Sequence, residues 1–490
     1  MRMGRWMTIA LLAGACGADD PSTKSDTDTD ADTDTDTDAD TDTDTDADTD
    51  TDTDADTDTD TSGATETSGT TGGSGGGTAT TGDTSDTGTE PGELSFLIFG
   101  GDVDGGFTVA PLEDSDGNGI DELLVANSDG YLWRVEPPAK GNLSLWARDA
   151  VVTDAAGATL PPHSTGDVDG DGSVDVFVTT TSAVHLLTTI PAKATAIDAV
   201  ATATLALPRA EVAVADDLDG DGLHDVLVHD DDDGRVLWFE APFSGLLDAS
   251  DAEATWSGTK HPMHTSATAA ITPVPDLTGD GRPDVLVGAA AVDRAWLLGS
   301  PVPGMASLDD VAVATYVSEN IGSAMGSGDV DGDGTPDVVF GQTFASEPHP
   351  VKSSWYVSDA VASPVDVLAT AHTAVHQDDP DIGHCTTTLV ADMDADGADD
   401  LVMSCPYGYD RSDVFVVHGP IARGTVTLPA GSTGGHSEVG YPYDIVGTWM
   451  STSDLDHDGD RELLYSVHFD YSYGGFGKPG PAGLMVSERI

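Results

Sequence analysis

The sequence predicts an all-β protein built from seven like units, and three observations predict it. A nine-residue acidic stretch, DVDGDGTPD at 329–337, recurs in seven copies that begin at Asp114, Asp167, Asp217, Asp276, Asp329, Asp392 and Asp454. The starts follow one another at intervals of 53, 50, 59, 53, 63 and 62 residues, a spacing that signals a repeat architecture. Each copy runs into a short apolar stretch rich in β-branched residues, such as Leu123-Leu124-Val125, Val226-Leu227-Val228, Val285-Leu286-Val287 or Val338-Val339-Phe340, while long stretches of helical periodicity are absent.

The nonapeptide has the chemistry of a calcium loop. Calcium is a hard cation that takes six to eight oxygens. Carboxylates at positions one, three and five wrap one side of the ion, a carboxylate at position nine closes the other, and the carbonyl at seven adds a backbone oxygen. The ligand candidates are Asp114, Asp116, Asn118 and Glu122; Asp167, Asp169, Asp171 and Asp175; Asp217, Asp219, Asp221 and Asp225; and Asp276, Thr278, Asp280 and Asp284. The last three sets are Asp329, Asp331, Asp333 and Asp337; Asp392, Asp394, Asp396 and Asp400; and Asp454, Asp456, Asp458 and Glu462. Position six is Gly in every copy, as a turn with φ above zero requires. A single Asp/Gly nonapeptide would pass for a plain turn; seven with acids at the same places, each followed by a strand-like run, do not.

Each unit reads as four strands. In the sixth, Thr387–Ala391 leads into the loop, Asp400–Met403 leaves it, Val414–Val417 follows a turn, and the less regular segment Thr425–Leu428 ends the unit. Four strands per repeat make a propeller blade, and a ring of blades leaves only short, protected edges. A body of roughly 400 residues exceeds a usual single core, a limit that repeats with neighbour-only contacts escape. The last unit stops after its third strand, Leu484–Ser487, and an unassigned strand, Leu94–Phe99, precedes the first. That strand is expected to complete the last blade. The prediction is therefore a seven-bladed β-propeller over 94–490 with a calcium loop in each blade.

The N-terminal fifth is different. Residues 1–15 read as a signal, with Arg2 and Arg5, the apolar Trp6–Leu12 and the small residues Ala13-Gly14-Ala15. Cys16 follows directly and resembles the lipidated cysteine of bacterial lipoproteins, although Ala13 stands where those signals usually have Leu. Ordinary cleavage beside a stray cysteine is the alternative. No later segment reaches 18 consecutive apolar residues. Residues 16–93 form a linker, almost pure Thr-Asp over 25–62 and Gly/Ser/Thr-rich beyond. Such a chain cannot bury apolar surface and its like charges repel, so it is expected to be a disordered, stretched stalk. A calcium sponge fits less well, because its acids are not organised into loops.

The formal net charge is −70. That excess repels nucleic acid and anionic membrane surfaces and attracts divalent cations or cationic partners. Cys385 and Cys405 flank the sixth loop on strands expected to pair, so in an exported protein they are candidates for a disulfide, with two free thiols as the alternative. His261 and His264, and His372 and His376, have spacings that on a helix would suggest zinc, but both pairs are expected in solvated loops before a blade's first strand. No nucleophile–His–acid order or phosphate-cradling loop stands out, and the abundance of acids says nothing about glycosidase chemistry.

Six of the ten tyrosines fall in three late segments: Tyr407 and Tyr409, Tyr441 and Tyr443, Tyr471 and Tyr473, with Phe476 beside the last. These segments are expected on the face opposite the calcium loops. With Arg411, Asp410 and Asp470 nearby they form a candidate grip for a sugar or peptide, or else pack under their own loops.

The units resemble the FG-GAP or VCBS-type repeats of integrin α-subunit propellers and of many bacterial surface proteins. The resemblance covers residues 94–490 and rests on the loop-plus-apolar-run signature; Phe99-Gly100 and Phe340-Gly341 match part of it, and Ala241-Pro242 and Gly419-Pro420 resemble segments of bacterial members. Thr278 departs from the pattern at position three, and Ala395 and His457 depart at position four. EF-hand or dockerin loops would need a helix after the loop and a glutamate at position twelve. The resemblance implies a Ca2+-binding, non-enzymatic, monomeric adhesion or binding module at the cell surface or outer membrane, with an extracellular protein or carbohydrate ligand. A lectin, or a polysaccharide lyase on a propeller scaffold, is the competing reading.

Overall fold

The computed structural model describes residues 95–99, 108–114, 117–127, 130–138, 140–145, 150–153, 162–208, 210–260, 270–343, 353–359, 365–377, 385, 387–405, 413–428, 436–438, 445–468 and 482–487. Among these, seven sheets form, six of five strands and one of four. The helices present are single turns, such as Leu308–Val311, capped by the Ser307 side chain. No helix is long and apolar enough to cross a membrane among the described residues.

The third unit shows the plan. Its first strand, Glu211–Ala215, enters the acidic loop; Asp225–Asp230 leaves it, pairs antiparallel with the first, and is followed by Arg235–Phe239 and Ala254–Ser257. The second strand is buried at every position, hence its run of apolar side chains without polar alternation. Both of its faces are covered because neighbouring sheets stack. Ala213, Leu227, Trp238 and Trp256 of the third unit pack with Val285, Val287, Trp296 and Leu298 of the fourth.

Seven such apolar clusters lie between successive units. The cluster that joins the ends holds Val109, Leu123 and Val125 of the first unit with Leu455 and Leu464 of the last. The first strands of all seven sheets also neighbour one another in cyclic order, the last touching the first. Closure is covalently staggered: Ser95–Phe99 pairs antiparallel with Ala482–Ser487 and becomes the fourth strand of the last sheet. Ile98 is fully buried in the joint.

The sequence reading of the fourth strand needs a correction. Gly424–Leu428 does not complete the sixth sheet; it pairs parallel with Thr373–Gln377, the fourth strand of the fifth. The sixth sheet ends instead in His436–Glu438. The same crossing recurs, with Gly304–Ser307 of the fourth unit lying parallel to Ala254–Ser257 of the third. The connection after a third strand thus first covers its neighbour's outer edge, which would otherwise present unpaired N–H and C=O groups. Residues with strand propensity at that point belong to the neighbouring sheet.

Candidate metal centres

Every loop lies between the first and second strands of its sheet, and one backbone recurs. Position six has φ between 85° and 106° in all seven copies, at Gly119, Gly172, Gly222, Gly281, Gly334, Gly397 and Gly459. Position four is also left-handed, and there Ala395 (φ 55°) and His457 (φ 60°) hold a conformation that costs a residue with a Cβ about 1–2 kcal/mol.

The carboxylates divide the work. The position-one group folds the loop: Asp167 Oδ1 accepts from the Gly170 N–H at 2.7 Å and Oδ2 from the Gly172 N–H at 2.9 Å. Position five accepts from the N–H of position seven, as Asp171 does from Ser173 at 2.8 Å. Position nine is buried at the start of the second strand, and in the second, third, fourth, sixth and seventh loops it reaches back to the N–H of position two. Asp175 accepts from Val168 at 2.9 Å, Asp225 from Leu218 at 2.8 Å, Asp400 from Met393 at 2.9 Å and Glu462 from Leu455 at 2.6 Å.

The loops are also tied to each other around the ring. The position-eight N–H of Asp121, His224, Asp399 and Arg461 donates to the carbonyl of Leu455, Asp167, Asp329 and Met393, each at position one or two of the preceding loop. Position eight of the fourth loop is Pro283, which has no N–H, and the Arg282 guanidinium donates to Leu218 O in its place.

Four of the seven position-nine groups show how differently one backbone can be satisfied. Asp175 Oδ1 and Glu462 Oε1 are buried with no hydrogen-bond donor among the described residues, and so is Asp456 Oδ1 at position three of the seventh loop. A buried carboxylate oxygen without a donor is costly unless a cation fills the space. By contrast, Asp225 Oδ1 accepts from Trp238 Nε1 at 3.0 Å. Asp284 Oδ1 accepts from Thr278 Oγ1 at 3.1 Å, and its Oδ2 takes the N–H groups of Leu277 and Thr278. A hard cation therefore fits well in the second and seventh loops, where Asp175 Oδ1, or Asp456 Oδ1 and Glu462 Oε1, are oxygens without a donor among the described residues. In the fourth loop the threonine hydroxyl already occupies the position-nine group.

Burial dominates the acidity of these groups. It pushes Asp175 and Asp225 up to about 6 and Glu462 up to about 7, and raises Asp284, Asp337 and Asp400. A carboxylate so raised regains its ordinary charge beside a cation.

Ligand-bearing atoms converge in the sets Asp167/Asp169/Asp175 and Asp217/Asp219/Asp225, as the nonapeptide implies, and also in sets that it does not reveal. The end of the third strand brings a further polar group to the loop. Glu136 accepts from Asn118 Nδ2, Glu240 joins Asp219 and Asp221, Ser300 Oγ donates to Asp280, and His418 lies 3.2 Å from Asp400 and 3.5 Å from Asp394. The signal was present in the antiparallel order of strands two and three, which sets the end of the third beside position nine. His372 and His376 are not a pair before a first strand. His376 lies in the fourth strand Thr373–Gln377 and bonds Ser354, whereas His372 precedes that strand and meets Asp337 at 3.0 Å.

Cys385 and Cys405 are joined by a disulfide that ties the segment just before the sixth unit's first strand to the end of its second. Asp116, Cys16, His261, His264, Tyr407, Tyr409, Arg411, Tyr441, Tyr443, Tyr471, Tyr473 and Phe476 lie outside the described residues.

With the loops and sheets in place, comparison with known proteins gives a family. Residues 217–287, from the third loop through the strand that leaves the fourth, match the family described as FG-GAP-like repeat. The chain carries an FG-GAP-like repeat. The same loop and strand order recurs in the units on either side of the match. Solved structures with a similar strand layout include the BBS1N chain of a complex with ARL6DN, at 11% identity and a TM-score of 0.41, covering 78% of this chain and 92% of that one. The Dos1 propeller aligns at 10% identity and a TM-score of 0.36, covering 81% of this chain and 93% of that one. No curated protein matches the sequence.

Proposed function

We propose that this FG-GAP propeller is a calcium-stabilised, seven-bladed display module, exported and held at a cell surface through lipidated Cys16, that binds an extracellular protein or glycan. One observation carries the cation reading: buried position-nine carboxylates, Asp175 and Glu462, each keep an oxygen without a donor, and Asp167 and Asp169 converge on Asp175. The residues that would hold the ion are those of positions one, three, five and nine; the ion supplies charge neutralisation and fixes the hairpin between the first two strands. Calcium at 100-fold above its dissociation constant contributes roughly 2.7 kcal/mol per site. Extracellular modules often bind at about 10⁻⁴–10⁻³ M, so the module suits a calcium-rich exterior.

The distribution of chemistry supports a reading of display rather than catalysis. The polar groups that gather at the loops are hydrogen-bond and ion ligands, and the late Tyr segments with Arg411 are the candidate ligand surface. The acidic linker, 16–93, serves as the stalk. Limited proteolysis of the full chain tests the reading. In calcium a fragment spanning 94–490 should resist cleavage while the linker is lost, and chelator should open the propeller to protease. Equal digestion in both conditions would sink it. Glycan and protein arrays probed with wild type and with Tyr407→Ala or Tyr471→Ala then test the ligand surface.

A further inference from the structure

The fifth loop, Asp329–Asp337, carries two cationic or cation-binding groups that the nonapeptide does not contain. Arg423, from the connection of the sixth unit, places Nε 2.7 Å from Asp331 Oδ2 and an Nη2 3.2 Å from both Asp333 Oδ2 and Asp359 Oδ1. His372 places Nε2 3.0 Å from Asp337 Oδ1 and 3.6 Å from Asp359 Oδ1. Its other nitrogen, Nδ1, lies 2.9 Å from Thr373 Oγ1, which fixes the ring so that Nε2 faces the carboxylates. Both members of the His372–Asp337 pair are largely shielded, the side chains being 10% and 2% exposed. Asp337 Oδ2 is buried with no donor among the described residues.

These contacts change what the loop can bind. Calcium wants six to eight oxygens. Arg423 holds the carboxylates of positions three and five, and backbone N–H groups take both oxygens of Asp329, so the oxygen count falls. An imidazole nitrogen enters in exchange, and Asp331, Asp337 and His372 offer ligand atoms that lie within 4.8 Å of one another. A small set of mixed nitrogen and oxygen donors suits zinc and its neighbours rather than calcium. A guanidinium bonded to the ligating carboxylate, and a hydroxyl bonded to the ligating imidazole, are the outer partners that such a centre uses to orient its ligands.

We propose that the fifth loop is a site for a borderline divalent cation of the zinc class, ligated by His372, Asp337 and Asp331 and braced by Arg423 and Thr373. The inference borrows the loop backbone from the calcium reading but not its cation, so the two fail separately. The sixth loop repeats the theme with His418 beside Asp394 and Asp400.

The test uses the full chain stripped with chelator and then held in excess calcium. Cobalt(II) is titrated while its visible absorption is followed, and zinc is titrated in competition with a chromophoric chelator. The expected result is uptake of zinc and cobalt in the presence of calcium, with one fewer ion bound by His372→Ala and an unchanged calcium count. Loss of an outer partner commonly costs about 10–100-fold in metal affinity, and loss of the ligand itself should cost at least about 100-fold. His372→Gln, which keeps a polar side chain, serves where the alanine variant does not fold by circular dichroism; it too should bind one fewer ion. No zinc or cobalt uptake in calcium, or full uptake by both variants, would overturn the proposal. Loss of calcium binding alone, with histidine-dependent zinc uptake intact, would leave this site standing and remove the calcium reading of the other loops.

Discussion

In the second loop Asp175 Oδ1 is buried without a donor, whereas in the fourth Asp284 Oδ1 accepts from Thr278 and Oδ2 from two backbone N–H groups. The two backbones are alike: position four has φ 78° and 76°, and position six 87° in both. Of the four positions at which the two loops differ, the one that reaches the position-nine carboxylate as a donor is the third, Asp169 against Thr278. With Asp169 at position three, the buried Asp175 faces another negative charge and its Oδ1 keeps no donor. With a threonine there, a hydroxyl supplies the missing donor and the loop closes on itself. Both loops keep one geometry, because the turn is held by position one and the glycine at six.

Four changes bear on that contrast. The largest effect is expected at the seventh loop. Glu462→Gln should lower the stability of calcium-saturated protein by about 2.7 kcal/mol, the worth of one site at 100-fold excess. In chelator the same change removes a buried carboxylate with one oxygen lacking a donor and should be neutral or stabilising; chemical denaturation in both conditions reads the reversal. Next comes the third loop, satisfied by an indole. Trp238→Phe leaves Asp225 Oδ1 without its donor and should cost about 1–3 kcal/mol in chelator, with part of the loss recovered on adding calcium. If calcium restores nothing, the third loop belongs with the fourth.

The pH dependence is a smaller, graded effect, and its sign depends on the ion. Burial raises Asp175 and Asp225 to about 6 and Glu462 to about 7 in the folded protein, above their ordinary values of about 4. The folded chain then binds these protons more tightly than the unfolded chain. In chelator, stability is fully present below about pH 4 and is lost as pH rises through about 6 to 7. In calcium the ion favours the charged forms, and the slope over the same window should reverse. Melting temperatures across pH 4.5–8 (about that range, set by the folded and unfolded values) distinguish the two. Smallest is Ala395→Gly, which relieves a left-handed residue and should gain about 1 kcal/mol in either condition, since it touches no ligand.

Much of this was legible in the sequence. Seven acidic loops, the apolar strand after each, and a spare N-terminal strand that pairs with Ala482–Ser487 could all be read from spacing and composition, because loop chemistry and burial act locally. Three things could not. The fifth strand, such as Gly424–Leu428, has the propensity of its own unit's fourth strand, and only the ring shows that it covers a neighbour. The groups that finish a loop from elsewhere, Trp238 for Asp225 and Arg423 and His372 for the fifth loop, lie 13 to 92 residues from the atoms they meet. Thr278 departs from the acidic pattern at position three; in the fold its hydroxyl is a donor to Asp284 Oδ1.

The most direct measurement is the count of calcium ions on the intact chain by native mass spectrometry, for wild type, Asp175→Asn and Asp284→Asn. Calcium held by loops with an unfilled position-nine oxygen predicts that Asp175→Asn binds one ion fewer than wild type while Asp284→Asn binds the same number. Equal counts for all three, or no bound calcium in wild type, would contradict it and leave the acidic loops as turns that hold themselves.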